Sequence, residues 1–156
     1  MGLDQFLYAS KNVGNAEWRG DEENKQFSEI INAMNAHDMV KGEEIPNATV
    51  MLRVGYWRKA NQVHGWFVKH VQFGNDDCRE YDVSRAELQG LLTACQNVKQ
   101  NPSMAEEVLP PSAGFFFGSD EIDEWYWHDI DYTIELVSRV LRTVSEDWNL
   151  TYRASW

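Results

Sequence analysis

The chain has 156 residues and a formal net charge of −11, and 43% of its residues are hydrophobic. A chain of this length can bury a core without disulfides or metal ions, so we expect a single globular domain over residues 1–156. The acidic balance argues against direct binding of nucleic acid, because a phosphate backbone needs a basic surface. A partner protein with a basic surface suits this charge better.

The cysteines and the N-terminus indicate where the protein works. Cys78 and Cys95 cannot form a metal site unaided and do not suggest a disulfide framework, which favours a reduced, cytoplasmic setting. The opening residues lack a basic segment followed by an apolar one, and no stretch approaches the roughly 18 apolar residues of a membrane span. We therefore expect a cytoplasmic protein without membrane association, and the sequence indicates no oligomeric state.

Three elements are predicted in the first third of the chain. Residues 3–8 are typical of a short strand, and Asp21 is the predicted N-cap of a helix over about 22–36. Residues 48–54, rich in Val, Leu, Met and Thr, predict a half-buried strand. The buried stripe predicted for the helix consists of Phe27, Ile30, Ile31 and Met34.

A central helix is predicted directly after that strand. Its predicted apolar stripe, at helical spacing, consists of Tyr56, Ala60, Val63, Phe67 and Val71. One flank of this helix carries Trp57, Asn61 and His64, which follow each other at i, i+4 and i+7.

The next segments combine a short strand, a capped helix and a Phe-rich run. Residues 79–83 predict the strand, and Ser84 with Glu87 forms the capping box that opens the helix. Residues 114–119, three Phe bracketed by Gly, predict a buried strand or a strand-like loop. The predicted buried face of the helix consists of Leu88, Leu91, Leu92, Cys95 and Val98.

The C-terminal part predicts a long helix and a last strand. The helix is predicted from Asp120 to about Glu146, and the alternation of apolar and polar residues over 150–156 predicts an edge or pairing strand. We expect the strands at 48–54, 115–117 and 150–156 to share one sheet. The predicted fold class is α+β, with about four helices packed on a small, mainly antiparallel sheet.

Three stretches together resemble a family of small uncharacterised bacteriophage and prophage proteins. They are the opening Met1-Gly2-Leu3-Asp4, the stretch Tyr56-Trp57-Arg58-Lys59-Ala60-Asn61 followed by His64, Trp66 and Phe67, and the segment Gly114-Phe115-Phe116-Phe117-Gly118 that precedes Asp123-Glu124-Trp125-Tyr126. The resemblance runs from the first residue to the last strand, with longer variable pieces at 14–46 and 99–108. It implies a phage or prophage origin and an accessory role outside the virion, and it assigns no catalytic residue and no cofactor.

The Trp57, Asn61 and His64 flank has two interpretations. An aromatic face with an amide and an imidazole is suited to a planar ring or a sugar, and His64 would titrate near neutrality. With Asp123 and Glu124 nearby, such a cleft would serve a small-molecule-binding or nucleotide-binding protein or an enzyme. The alternative, which we expect, is that Asn61 and His64 hold neighbouring loops on the helix by pairing with buried backbone groups.

A metal site on the last helix is a weaker hypothesis. Glu124, His128 and Asp131 share one helix face at spacings that suit metal ligands. The alternative is a solvated acidic face, because the coordination shell would need a further His from elsewhere in the chain. We therefore expect neither a metal ion nor another cofactor.

The last helix also carries the strongest charge feature. Residues 119–135 contain seven carboxylates and no Lys or Arg, with aromatic residues between them. Trp125 as an anchor, with Asp129, Asp131 and Glu135 around it, would suit a basic partner surface. No nucleophile motif is present, which favours a binding protein over an enzyme. The sequence thus predicts a small acidic phage accessory protein of the host cytoplasm that binds a host protein, for instance in counter-defence.

Overall fold

The structure is a computed structural model that describes residues 2–112, 114 and 117–156. The chain divides into two compact units, one formed by Met1–Ala9 with Arg53–Trp156 and the other by Ser10–Leu52. Organisation as a single domain stays a prediction. Within the described residues, no helix has the length and apolar character needed to cross a membrane.

One sheet contains four strands, β1 (Asp4–Gly14), β2 (Asn47–Arg58), β3 (Glu80–Asp82) and β4 (Asn149–Ser155). Their order in the sheet is β2-β1-β4-β3. β3 pairs antiparallel with β4, with Tyr81 opposite Tyr152. The last strand of the chain is therefore an interior strand of the sheet, which confirms the pairing predicted for residues 150–156.

Five α-helices accompany this sheet in the described part of the chain, where about four were predicted. The additional one is a four-residue helix, and the α+β class with a small antiparallel sheet is confirmed. The helices are α1 (Asp21–Ala33), α2 (Asn61–His70), α3 (Arg85–Gln100), α4 (Ala105–Val108) and α5 (Glu124–Thr143).

The core of the larger unit lies between the sheet and helices α2, α3 and α5. Alternate residues of β1, namely Gln5, Leu7 and Ala9, are buried, as expected for a strand with one face on the core. Tyr152 of β4 stacks on Phe67 of α2 with ring centroids 3.8 Å apart, and α3 packs against α5. The first turns of α2 and α5 meet, because the Gln62 amide donates to the Tyr126 carbonyl at 3.4 Å.

Helix α3 begins as predicted. The Ser84 hydroxyl accepts a hydrogen bond from the Glu87 backbone N–H at 3.1 Å, and the Glu87 carboxylate accepts one from the Ser84 N–H at 2.7 Å. All five side chains predicted to form its buried face are buried. This helix is determined locally, because its cap and its apolar face are both encoded within its own residues.

Helix α1 belongs to the smaller unit and differs from its prediction in its N-cap, its buried residues and its last turn. Its N-cap is Gly20, which has φ +78° and no side chain to bond the helix, so Asp21 lies in the first turn and is not the cap. Its buried residues are Phe27 and Ile31, whereas Met34, just past the last helical residue, is exposed. The helix ends at Ala33, so the last predicted turn does not form.

The predicted central helix was wrong in its first turn. Tyr56 and Trp57 lie on β2, which continues to Arg58, and α2 begins only at Asn61. The chain turns at Lys59, whose φ is +59° and whose N–H donates to the Leu3 carbonyl at 2.8 Å. Aromatic residues favour strands, and this long-range pairing decides the competition. The rest of the predicted stripe, Ala60, Val63, Phe67 and Val71, is buried.

Helix α5 begins later than predicted. Asp123 is its N-cap, and its carboxylate accepts hydrogen bonds from the backbone N–H groups of Trp125 and Tyr126 at 2.9 and 3.0 Å. A start at Asp120 is therefore wrong, because Asp123 satisfies the free donors of the first turn.

The Phe-rich segment is described only in part. Phe115 and Phe116 lie outside the described residues, so the prediction that residues 115–117 join the sheet stays a prediction. Gly114 and Gly118 form an isolated antiparallel bridge around a turn, in which the Phe117 N–H donates to the Gly114 carbonyl at 3.0 Å.

Candidate functional site

A cleft of about 360 Å³ opens in the larger unit where the end of β2, the start of α2 and the start of α5 meet. It combines side chains of both charge signs with an indole and several polar groups. It is lined by Arg58, Lys59, Asn61, Gln62, Pro111, Gly118, Ser119, Glu121, Asp123, Trp125, Tyr126 and Asp129.

Asn61 shapes the wall of the cleft. Its side-chain amide donates to the Phe117 carbonyl at 3.1 Å and to the Ser119 carbonyl at 2.7 Å, and its side-chain carbonyl accepts from the Ser112 N–H at 2.9 Å. Both N–H donors of this buried amide are therefore used within the protein. Asn61 holds two backbone segments on α2 and has little left to offer a ligand.

Asp129 contributes a partly buried carboxylate to the lining of the cleft. Its side chain is 23% exposed, and burial raises the pKa of the carboxyl, although hydrogen bonding from Gln62 and the charge of His128 act in the opposite direction. His128 is a weak partner, because its Nδ1 lies 3.8 Å from the Asp129 Oδ1. A partly desolvated carboxylate of this kind is stabilised by an incoming cation.

Trp125 lies four residues before Asp129 on α5, so the two side chains are neighbours along the helix. The indole is 67% exposed, whereas the next residue, Tyr126, is buried and donates its hydroxyl to the Leu109 carbonyl at 2.9 Å. The cleft therefore has an exposed aromatic rim beside a half-buried carboxylate.

The basic side chains of the lining come from the end of β2. The Arg58 Nη1 lies 2.7 and 2.6 Å from the two carboxylate oxygens of Asp4, which also accepts the Tyr56 hydroxyl at 2.5 Å. This pairing holds the pKa of Asp4 below its usual value, the largest cause being the hydrogen bond from Tyr56. The charge of Arg58 is thus compensated at the mouth of the cleft.

Two of the predicted site residues lie in the core and do not line the cleft. The buried Trp57 donates its indole N–H to the Thr133 hydroxyl at 2.9 Å. The buried His64 has its Nδ1 2.8 Å from the Tyr152 hydroxyl and its Nε2 3.0 Å from the Asp76 carboxylate. The structure therefore separates the predicted Trp57, Asn61 and His64 set, because Trp57 belongs to a strand.

The remaining acidic candidates lie on the outer face of α5. Glu124, Asp131 and Glu135 are exposed, and Lys99 of α3 donates to Asp131 at 2.6 Å. Across the described residues, no three His, Cys, Asp or Glu side chains are grouped so that they could hold a metal ion.

The cleft unites residues from both sequence hypotheses. Asn61 and Asp123, predicted for a ligand, and Trp125 and Asp129, predicted for a partner, line the same space. Sequence reasoning missed Gln62 and the two basic residues of the lining. The left-handed turn at Lys59, which brings the end of β2 to the cleft, has no signal in the sequence, because Lys is not a residue that favours such a turn.

Comparisons of the chain with family models, with curated proteins and with solved structures give no match.

Proposed function

We propose that this protein is a binding protein without catalytic activity, and that its cleft takes a Lys or Arg side chain of a partner protein. One observation carries the proposal: the half-buried carboxylate of Asp129 lies in a cleft that has the exposed indole of Trp125 at its rim. The carboxylate offers a charge-assisted hydrogen bond, and the indole offers a face for a cation.

The energetics favour a cationic side chain over a neutral one. Burial already penalises the Asp129 carboxylate in the free protein, so a cation that enters the cleft relieves part of that penalty. A cation over an indole adds about 0.5–2 kcal/mol, depending on desolvation. The aliphatic part of a Lys or Arg side chain also covers apolar surface next to Tyr126.

We propose a host protein with a basic surface as the partner. The resemblance to small phage proteins supports this choice, and interference with a host defence is one role such a protein would serve. Glu124, Asp131 and Glu135 on the outer face of α5 would then attract the basic surface before the side chain enters the cleft.

The proposal is tested with a fluorescent 12-residue peptide of Gly and Ser that carries Arg at three positions. The control peptide has citrulline in place of Arg, which keeps the shape and removes the charge. We expect measurable binding of the Arg peptide by fluorescence anisotropy, and a loss of about tenfold or more in Asp129→Asn and in Trp125→Ala.

The matched control variant is Asp131→Asn, which makes the same chemical change on the same helix, outside the cleft lining. We expect it to bind the Arg peptide within about twofold of the wild type, because exposed rim charges contribute little affinity. Equal binding of the citrulline peptide, or full affinity in Asp129→Asn, would refute the proposal. Capture of a host protein by the wild type and by Asp131→Asn, but not by Asp129→Asn, would support the proposal that the biological partner binds through the cleft.

A small-molecule or nucleotide ligand is the second candidate. The volume of the cleft falls within the roughly 300–1,000 Å³ of ligand pockets, and the exposed Trp125 indole in its lining offers a face for a planar ring. This candidate would be favoured if a nucleoside or an aromatic amine quenched Trp125 fluorescence at micromolar concentration and the Arg peptide did not bind.

A further inference from the structure

A chain of polar contacts crosses the core of the larger unit beside the cleft. The Gln5 side-chain amide donates to the Ala60 carbonyl at 3.0 Å, so its carbonyl oxygen faces the Tyr152 hydroxyl, also at 3.0 Å. That hydroxyl lies 2.8 Å from His64 Nδ1, and His64 Nε2 lies 3.0 Å from Asp76 Oδ1. Gln5, His64 and Tyr152 are buried.

The number of protons decides whether every contact in this chain is a hydrogen bond. The Ala60 carbonyl and the Asp76 carboxylate only accept, which fixes the Gln5 amide and gives Asp76 the N–H of a neutral His64. The single proton of Tyr152 can then serve either the Gln5 oxygen or the Nδ1 of a neutral His64, but not both. One of these two contacts is therefore left with no proton between its atoms, which is unfavourable for a buried acceptor.

We infer that His64 is a buried proton-binding site, whose proton completes the hydrogen bonds between Gln5, Tyr152, His64 and Asp76. The proton comes from solvent and adds to Nδ1, so the imidazolium donates to both Asp76 and Tyr152. The Tyr152 hydroxyl then donates its own proton to Gln5. No bond between heavy atoms changes, and every contact from Ala60 through Gln5, Tyr152 and His64 to Asp76 becomes a hydrogen bond.

The charged and titratable groups around His64 set the conditions for this uptake. Asp76 and Cys78 approach from the segment between α2 and β3, and Tyr152 approaches from β4. Asp76 also accepts the Trp156 indole N–H at 2.9 Å, which stabilises its ionised form. Burial raises the pKa of Tyr152 far above its usual value, and Asp76 and Cys78 add to that effect, so the hydroxyl keeps its proton.

Burial opposes proton uptake, whereas Asp76 favours it. The pKa of His64 is lowered from 6.5 by desolvation, with the charge and hydrogen bond of Asp76 acting in the opposite direction. The ring is therefore neutral at neutral pH and takes up its proton on acidification. Because the site joins β1, α2 and β4, this proton changes the hydrogen bonds between three elements of the core.

The test is a long-range ¹H–¹⁵N spectrum of the full chain, recorded as the pH is lowered while Trp fluorescence monitors folding. At neutral pH we expect His64 as the tautomer with its proton on Nε2, and on acidification we expect both nitrogens to be protonated in the folded protein. The midpoint should lie below 6.5. The signals of His37, His70 and His128 are assigned in the same spectrum, so that the His64 signals are identified without ambiguity.

Variants separate a proton site from a merely structural histidine. Asp76→Asn should lower the midpoint by about one pH unit, because it removes the supporting charge. The control is Asp77→Asn at the next residue. The Asp77 carboxylate bonds Arg79 and Tyr81, so this substitution should leave the midpoint of His64 unchanged. Gln5→Met should also lower the midpoint, because the Tyr152 hydroxyl then lacks an acceptor once His64 is protonated.

Three results would overturn the inference. They are a neutral tautomer with the proton on Nδ1, acid unfolding before His64 titrates, and an unchanged midpoint in Asp76→Asn. The first two are measured on the wild type, so they decide the matter even if a variant does not fold.

Discussion

At the scale of single residues, the Asp129 carboxylate lowers the stability of the folded protein. Its carboxylate is half-buried, and the pKa is raised chiefly because desolvation penalises the charged form. No Lys or Arg bonds it within the described residues. A group that costs folding free energy and lines a cleft is typical of a functional site.

We predict that Asp129→Asn stabilises the protein at neutral pH. A raised folded-state pKa means that the penalty is fully present above that pKa and disappears below the unfolded value of 3.8, where the carboxyl is protonated in both states. The gain in melting temperature should therefore be clear at pH 7 and vanish near pH 3.5. Thermal melts of the wild type and of the exposed control Asp131→Asn check this, and a lower melting temperature for Asp129→Asn at pH 7 would contradict it.

At the scale of elements, β4 makes the fold depend on the last residues of the chain. It lies between β1 and β3 and contributes the buried side chains of Leu150, Tyr152 and Ala154. Its removal would leave hydrogen-bonding groups of β1 and β3 without partners, and such groups are costly when buried.

We predict that deletion of residues 148–156 prevents stable folding. The loss of Leu150 and Tyr152 alone represents two large-to-small core changes of about 2–5 kcal/mol each, which together are comparable with a typical total stability of about 5–15 kcal/mol. The control is Arg153→Ala, which changes an exposed side chain of the same strand and should melt within a few degrees of the wild type. Circular dichroism during heating measures both, and a cooperative melt of the truncated chain near the wild-type temperature would disprove the prediction.

At the scale of the whole molecule, the net charge of −11 acts over distance. The structure divides the acidic residues of α5 into two groups, because Asp129 lines the cleft whereas Glu124, Asp131 and Glu135 face outward. Exposed charges act mainly on the rate of encounter, and salt screens them over about 8–10 Å.

We predict that the triple variant Glu124→Gln, Asp131→Asn, Glu135→Gln binds the Arg peptide more slowly at low salt, by about threefold to tenfold, with a weaker salt dependence and an unchanged melting temperature. The control with the same net charge is Asp38→Asn, Glu43→Gln, Glu44→Gln in the smaller unit. Stopped-flow fluorescence at two salt concentrations measures both. Equal slowing in the two triple variants would show that only the total charge matters.

The sequence by itself determined the features whose causes lie within about four residues of each other. The cap of α3 is one example, since Ser84 and Glu87 form both of its hydrogen bonds with each other. The alternation in β4 is another, because apolar residues at every second position indicate a strand with one face on the core. These local rules were enough for the α+β class.

Only the tertiary structure decided where β2 ends and what the central polar residues do. Tyr56 and Trp57 fit a helical stripe and a strand equally well, and the bond from the Lys59 N–H to Leu3, distant in sequence, settles the choice. The roles of Asn61 and His64 likewise depend on partners 12 to 88 residues away. The cleft is assembled from separate segments that meet only in the packed core, and no local pattern encodes that meeting.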